Sequence, residues 1–190
     1  MTAIQTMQVP LELWKDTRDL IQCVDNLVFM RELADNSMKL IVTSPPYNIG
    51  KSYEQRSSLD NYLNTQASVI QESVRLLHAE GSLCWQVGNH ISRDGEVMPL
   101  DIMLYPIFKE HGLRLRNRII WHYEHGLHCS KRFSGRYETI LWFTKGDSYT
   151  FNLDPVRVPS KYPNKKYPVS YTHLRAHETD SYLVCRLLLE

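Results

Sequence analysis

The pattern of apolar and polar positions in the first part of the chain predicts a strand, a helix and a second strand. The apolar run from Leu20 to Val24 has the length of a buried strand, and Asp25-Asn26 can cap a helix after it. The apolar residues expected on the inner face of that helix are Leu27, Val28, Met30 and Leu33. A β-branched run from Lys39 to Thr43 then ends abruptly at Pro45-Pro46.

The middle of the chain continues this alternation of helices and strands. A helix is expected from Asp60 or Asn61 through Leu77, with Gly81 ending it. The strand Ser82 to Val87 follows, and Pro99 then begins a helix that runs to Glu110, is kinked by Pro106 and ends at Gly112. The last two predicted strands are Leu113 to Tyr123 and Tyr137 to Thr144. Alternating elements predict an α/β fold with a mostly parallel sheet, and two late strands without a helix between them predict an antiparallel hairpin at its edge.

Length and composition narrow the class of protein. A chain of 190 residues suits one domain or part of one. Its four cysteines form no C-x-x-C pair, so neither a disulfide framework nor a zinc knuckle is predicted. No basic and apolar leader opens the sequence, and no apolar run approaches the roughly 20 residues of a membrane helix. We therefore expect a cytoplasmic protein with no membrane partner.

The distribution of charge is more informative than its sum. The formal net charge is only +1, but basic residues collect between Lys109 and Arg136 and again between residues 155 and 168. The basic residues predicted to contact phosphate groups are Arg132, Arg136, Lys161, Lys165 and Lys166. Short basic runs are also typical of solvated loops, and that interpretation stays open.

The motif Thr43-Ser44-Pro45-Pro46-Tyr47-Asn48 lies where chemistry is expected. It follows the predicted strand Lys39 to Thr43, and open α/β sheets bind ligands at the carboxyl ends of their strands. Each proline fixes its own φ, and Pro46 keeps Pro45 out of the helical region, so the Pro45 carbonyl is held in one direction. We expect Ser44 to Tyr47 to form the rim of a concave pocket.

The stretch from Ile21 to Lys51 resembles the opening of the N4-cytosine/N6-adenine DNA methyltransferase family. Residues 81–88, GSLCWQVG, and 135–146, GRYETILWFTKG, are similar to two later elements of that family, and the resemblance runs to about Tyr167. It implies a partial Rossmann-like methyltransferase fold, S-adenosylmethionine as cofactor and double-stranded DNA as partner. A restriction endonuclease counterpart is a further expectation.

The motif suits the chemistry that this resemblance implies. An exocyclic amino group is a poor nucleophile, because its lone pair is delocalised into the base. The Ser44 hydroxyl and the Pro45 carbonyl could accept its two hydrogens and so localise that pair. A base in a duplex must be flipped out to reach such a site, and Tyr47 could compensate for its lost stacking. We predict Ser44, Pro45, Pro46 and Tyr47 to be catalytic and Asn48 to contact DNA.

The sequence contains few candidate residues for binding the cofactor. Asp25 and Thr43 are predicted to face the cofactor, although Asp25 fits a helix-capping role equally well. Residues 1–49 contain no glycine, and the eight glycines of the chain never occur as G-x-G. The family includes a permuted class in which the Ser-Pro-Pro-Tyr block precedes the glycine-rich cofactor motif. This sequence resembles a member of that class that is cut short before the cofactor motif. We expect the isolated chain to bind S-adenosylmethionine weakly or not at all.

The predicted domain boundaries follow from this interpretation. Residues 1–168 would be the catalytic side of the methyltransferase domain, entering the target-recognition region near 155–168. Residues 169–190, VSYTHLRAHETDSYLVCRLLLE, resemble translated sequencing adapter and are predicted to be a non-native tail. The alternative for this tail is an amphipathic C-terminal helix.

Two choices remain open at the level of sequence. The uncharged Ser44 mildly favours N4-cytosine over N6-adenine as the methylated position. The alternative function is a non-catalytic nucleic-acid-binding remnant of such an enzyme. A metal site is not predicted, because His122, His125 and His128 have ligand spacing only on a helix and this segment reads as a strand that runs into a loop.

Overall fold

The computed structural model describes residues 21–52, 54–124 and 128–157. Three helices are present in this part: α1 (Asn26–Glu32), α2 (Leu59–Leu76) and α3 (Leu100–Glu110). The strands are β1 (Met38–Thr43), β2 (Leu77–Val87), β3 (Asn89–Ile91), β4 (Val97–Pro99), β5 (Arg114–His122) and β6 (Tyr137–Thr144). A 3-10 turn covers Asp154–Val156. None of the described helices is long and apolar enough to cross a membrane.

Four strands form one mixed sheet in the order β1-β2-β6-β5. β1 and β2 are parallel, whereas β6 is antiparallel to both β2 and β5. The predicted late antiparallel hairpin is therefore confirmed, and the predicted parallel arrangement appears in the β1–β2 pair. Because β6 runs against β2, its first residues lie at the same sheet edge as the carboxyl ends of β1 and β2. Val87 at the end of β2 pairs with Thr139 near the start of β6.

The hydrophobic core lies between one face of this sheet and the helices α2 and α3. Inward residues of β2 and β6 pair directly, as Trp85 does with Leu141. Phe143 stacks on Phe108 of α3 with ring centroids 4.4 Å apart. The fully buried side chains of this core include Ile70, Leu77, Leu83, Leu100, Leu104 and Leu113. Each such side chain stabilises the fold by about 1.5–3 kcal/mol relative to an exposed position.

The opposite face of the sheet is more open. Leu40 and Val42 of β1 are 60% and 68% exposed, although their neighbour Ile41 packs against the core. Further along, Trp142 of β6 is covered by the rings of Tyr149 and Phe151.

The first predicted strand is not formed by the described residues. Residues 21–25 have no regular structure, and Ile21 is almost fully exposed. A strand needs a paired neighbour, and the sheet of the described residues contains no strand beyond β1. The helix after it is confirmed, because the Asp25 carboxylate accepts from the backbone N–H groups of Leu27 and Val28.

Gly81 was predicted to end α2, and this was wrong. Ser58 rather than Asp60 caps the start of α2, which ends at Leu76, and Gly81 lies inside β2. A Cβ at Gly81 would lie 2.8 Å from the Leu77 side chain and 3.0 Å from the Met38 carbonyl oxygen. The register of β1 against β2 shifts at the same place, between Met38 and Leu40. Gly81 therefore permits a close approach at a bulge, which is the other common use of a glycine within a strand.

Candidate active site

The residues Ser44 to Tyr47 leave the carboxyl end of β1 beside the carboxyl end of its parallel neighbour β2. Ser44 and Pro46 are exposed, and Tyr47 is half-buried against the edge of the core. The motif therefore lies at the predicted strand end, with the Ser44 hydroxyl open to solvent.

Gly88 provides the surface on which the Tyr47 ring lies. A Cβ at Gly88 would be 3.1 Å from Cε2 and 3.2 Å from Cδ2 of Tyr47. These distances are shorter than ordinary van der Waals contact, so a side chain at this position would push the ring away. The end of β2 thus determines where the aromatic ring of the motif can lie.

The Tyr47 hydroxyl connects Ser44 with the start of β6. It lies 3.1 Å from Ser44 Oγ and donates to Glu138 Oε2 over 3.1 Å. The Gln86 side-chain amide donates to the same Glu138 oxygen. Burial, together with the charge of Glu138 and the hydrogen bond to it, raises the pKa of Tyr47 to about 12, against an opposing effect of Ser44. Tyr47 is therefore a neutral hydrogen-bonding group at physiological pH.

The loop after the motif is closed by one carboxylate. Glu54 accepts hydrogen bonds from four successive backbone N–H groups, those of residues 48–51, at 2.7–3.3 Å. Desolvation opposes ionisation of Glu54, but these bonds outweigh it, and the pKa of this carboxyl is lowered. Consecutive N–H groups that converge on an anion form a nest, and here the anion belongs to the chain itself.

Asn48, which was predicted to contact DNA, is engaged inside the protein. It is only 2% exposed, with a positive φ of 57° that Asn tolerates better than most residues. Its amide binds both the N–H and the C=O of Ser57. Because both ends of the amide are used inside the protein, Asn48 fixes the loop, and its contact with DNA stays a proposal.

A cavity of about 420 Å³ lies beside the motif. His90, which lines it, has Nδ1 3.4 Å from the Tyr47 carbonyl oxygen. Its other lining residues are Arg56, Ser57, Ser58, Leu59, Ser92, Arg93 and Met98. None of Ser44 to Tyr47 lines this cavity, so the position of the motif on a pocket rim stays a prediction.

The sequence model of a family described as DNA methylase matches residues 38–182. The chain belongs to this DNA methylase family. It is the N4-cytosine/N6-adenine family that the Ser-Pro-Pro-Tyr block predicts, so that expectation is confirmed.

Individual relatives agree with this assignment. Type II methyltransferase M.BglII of Bacillus subtilis is 50% identical over 143 residues, which cover 75% of this chain and 40% of that protein. TTHA0409 of Thermus thermophilus, described as a DNA modification methylase and solved with S-adenosyl-L-methionine, is 26% identical with a TM-score of 0.53, over 70% of this chain and 59% of its own. The chain thus spans less than half the length of M.BglII and somewhat more than half that of TTHA0409.

A third comparison concerns the fold alone. The cytosine-N4-specific PvuII DNA methyltransferase is 19% identical with a TM-score of 0.57, over 66% of this chain and 48% of its own. The predicted Rossmann-like methyltransferase fold is confirmed by these likenesses.

The other predicted site residues of this DNA methylase chain lie in different surroundings. Thr43 ends β1 opposite Trp85, and Asp25 caps α1. Arg132 is exposed in the loop between β5 and β6, whereas Arg136 is half-buried and donates to the Glu124 carbonyl over 2.7 Å. Lys161, Lys165 and Lys166 lie outside the described residues. In the part of the chain that the structure describes, no group of three or more His, Cys, Asp or Glu residues could hold a metal ion.

Sequence reasoning missed Glu138, Gln86, Gly88 and Glu54. A charged residue and an amide at the ends of two otherwise apolar predicted strands were visible in the sequence. Their convergence on Tyr47 depends on the order β1-β2-β6, which no local pattern contains.

Proposed function

We propose that this chain is the catalytic side of a DNA methyltransferase that acts on the exocyclic amino nitrogen of a base flipped out of double-stranded DNA. The observation that carries the proposal is the exposed Ser44 hydroxyl, anchored through Tyr47 to Glu138 at the carboxyl edge of a parallel strand pair. Because the chain spans 40% of M.BglII, the activity of the whole protein is part of the proposal.

Ser44 Oγ and the Pro45 carbonyl oxygen are the two hydrogen-bond acceptors that this reaction requires. Ser44 Oγ is accessible, and within the described residues no donor occupies the Pro45 carbonyl oxygen. Two acceptors on adjacent residues would take both hydrogens of an amino group and localise the nitrogen lone pair for attack. Two successive prolines keep these acceptors preorganised, so little reorganisation is needed at the moment of reaction.

S-adenosylmethionine would supply the methyl group as a sulfonium electrophile. Gly88 provides no cradle for it, because this glycine lies under the Tyr47 ring, and one oxygen of the Asp25 carboxylate is engaged by α1. Contact of Asp25 and Thr43 with the cofactor stays a proposal, as does weak binding by the isolated chain.

The loop before β6 supports a DNA-binding role. Lys131 and Arg132 are exposed beside Phe133, which is 99% exposed, and the loop leads into the sheet edge that carries Ser44. Exposed cations at such an edge would neutralise backbone phosphates. We propose that further basic residues add to this contact, namely Arg136 and, beyond the described residues, Lys161, Lys165 and Lys166. A cytoplasmic location and a restriction endonuclease counterpart are part of the same proposal.

N4-cytosine is the base position that we favour over N6-adenine. The preference rests on the neutral Ser44, and a neutral acceptor serves either amino group. The alternative function, a nucleic-acid-binding remnant without catalysis, is kept as an outcome of the experiment that follows.

Methyl transfer should be measured with the longest gene product that contains residues 1–168, using S-adenosylmethionine with a labelled methyl group and plasmid DNA. Mass spectrometry of the digested nucleosides is expected to detect N4-methylcytosine. Ser44→Ala should lower kcat by about a hundredfold, the typical loss when one preorganised hydrogen-bonding group leaves an active site. The matched control is Ser68→Ala on the exposed face of α2, which should have no effect.

Three results would change the interpretation. N6-methyladenine as the product would overturn the base preference and leave the reaction intact. Equal rates for Ser44→Ala and the unaltered protein would remove Ser44 from the chemistry. Salt-dependent DNA binding without any methyl transfer would support the remnant.

A further inference from the structure

The hydrogen bonds around Tyr47 form a chain with a defined direction. Glu138 at the start of β6 accepts from both the Tyr47 hydroxyl and the Gln86 amide. An ionised carboxylate only accepts hydrogen bonds, so the Tyr47 proton is committed to Glu138. Gln86 holds the carboxylate from the neighbouring strand β2, which leaves Glu138 little freedom to turn away.

The direction of the hydrogen bond between Tyr47 and Glu138 determines the direction of the hydrogen bond between Ser44 and Tyr47. Tyrosine has one hydroxyl proton, and once it is donated to Glu138, the Tyr47 oxygen can only accept. The 3.1 Å contact between Ser44 Oγ and Tyr47 Oη is then a hydrogen bond from Ser44 to Tyr47. The Ser44 hydroxyl also has a single proton, and this proton is donated to Tyr47. On its exposed side, Ser44 Oγ can therefore only accept hydrogen bonds.

We propose that Glu138 is a positioning residue that makes Ser44 an obligatory hydrogen-bond acceptor by way of Tyr47. The inference rests on the proposed function and deepens it. A serine hydroxyl normally donates or accepts, and could bind an amino group or a carbonyl equally well. With its proton committed to Tyr47, Ser44 favours the amino group of cytosine or adenine and disfavours the carbonyl that thymine carries at the corresponding position.

The two hydrogen bonds of the Tyr47 hydroxyl act in opposite senses on its pKa. Ser44 lowers the pKa of Tyr47, which is the effect of a donor that stabilises the phenolate oxygen. Glu138 raises that pKa, as an acceptor and negative charge should. Removing each partner must therefore shift the ionisation of Tyr47 in opposite senses.

The test is 19F NMR of the 190-residue chain labelled with 3-fluorotyrosine, whose more acidic phenol brings the titration into an accessible range. The Tyr47 resonance is assigned by its loss in Tyr47→Phe. Glu138→Gln is expected to lower the pKa of Tyr47 by about 1, a tenfold change in its ionisation constant. Ser44→Ala, an exposed and conservative change, is expected to raise it. Glu110→Gln, at the exposed end of α3, is the matched control and should leave it unchanged.

Two results would overturn the proposal. An unchanged Tyr47 titration in Glu138→Gln would mean that the carboxylate does not engage the hydroxyl. A fall in the pKa of Tyr47 in Ser44→Ala would mean that Ser44 accepts from Tyr47, which is the opposite direction. If Glu138→Gln fails to fold, the sign measured in Ser44→Ala still decides.

Activity separates this proposal from the proposed function. In the active gene product, Glu138→Gln should lower kcat about tenfold with little change in KM, and the double variant with Tyr47→Phe should be no slower than Tyr47→Phe alone. Additive losses would show that Glu138 acts by another route and would overturn the proposal. Absence of methyl transfer in every form would refute the proposed function, whereas the NMR result would still decide the direction at Ser44.

Discussion

At the scale of single residues, the site depends on one glycine as much as on the motif. Tyr47 can bond to Glu138 only while its ring lies on Gly88. Asn48 and Glu54 fix the loop that follows, so the motif is held at both ends.

Gly88→Ala is expected to destabilise the chain by about 1–2 kcal/mol, in the range of core overpacking. The new Cβ would meet Tyr47 at 3.1–3.2 Å, and moving the ring would break its contact with Glu138. Urea denaturation followed by circular dichroism measures the loss. Gly135→Ala is the matched control, because a Cβ there meets no atom within 4 Å. Equal stability of the two variants would contradict the packing argument.

Only part of the site could be predicted from the sequence. The motif, its strand end and the rigidity of its prolines were predictable, because each depends on neighbours in the chain. Glu138 and Gly88 were not, because their contacts with Tyr47 depend on strands that pair across about 40 to 60 residues of sequence.

At the scale of elements, apolar periodicity predicted most helices and strands, and errors occurred where one residue type has two uses. Gly81 can end a helix or allow a bulge, and only the approach of Met38 from β1 selects the bulge. The short β3–β4 hairpin was missed because three-residue strands carry too few positions for a pattern.

The loop between β1 and α2 gives a pH-dependent prediction. Glu54→Gln should destabilise the chain by about 1 kcal/mol at pH 7, because charge-assisted bonds from four N–H groups are weakened, although solvent screens them. The pKa of Glu54 is lowered in the folded state, so its contribution is present above the ordinary glutamate pKa of about 4.3 and is lost as pH falls through the folded value.

Thermal unfolding between pH 3 and pH 7 measures this difference. The melting temperatures of Glu54→Gln and the unaltered chain should converge as the solution becomes more acidic. The control is Glu80→Gln on the exposed part of β2, which should follow the unaltered chain at every pH. A constant gap between Glu54→Gln and the unaltered chain would argue against the carboxylate nest.

At the scale of the whole molecule, the predicted fold is confirmed, whereas the predicted domain boundaries remain predictions. Residues 158–190 lie outside the described part, so the foreign tail at 169–190 and the exposure expected of Leu183, Val184, Leu187, Leu188 and Leu189 remain predictions. The family match continues to residue 182 and so overlaps that segment.

Deletion of residues 169–190 tests the tail. A segment never selected to pack on this core should contribute little, and the free energy of unfolding should change by less than about 0.5 kcal/mol. Urea denaturation of the shortened chain measures this. A loss above about 2 kcal/mol would identify these residues as a native buried element.

The position of Glu138 also has a consequence for synthesis of the protein. Tyr47 and Glu138 are 91 residues apart, and β6, which carries Glu138, comes last among the described strands. During translation the Ser-Pro-Pro-Tyr segment therefore leaves the ribosome several seconds before its anchoring carboxylate, at about 5–20 residues per second. Throughout that interval the nascent chain has the acceptors but not the partner that orients them, so the site is completed only when β6 has emerged and inserted between β2 and β5.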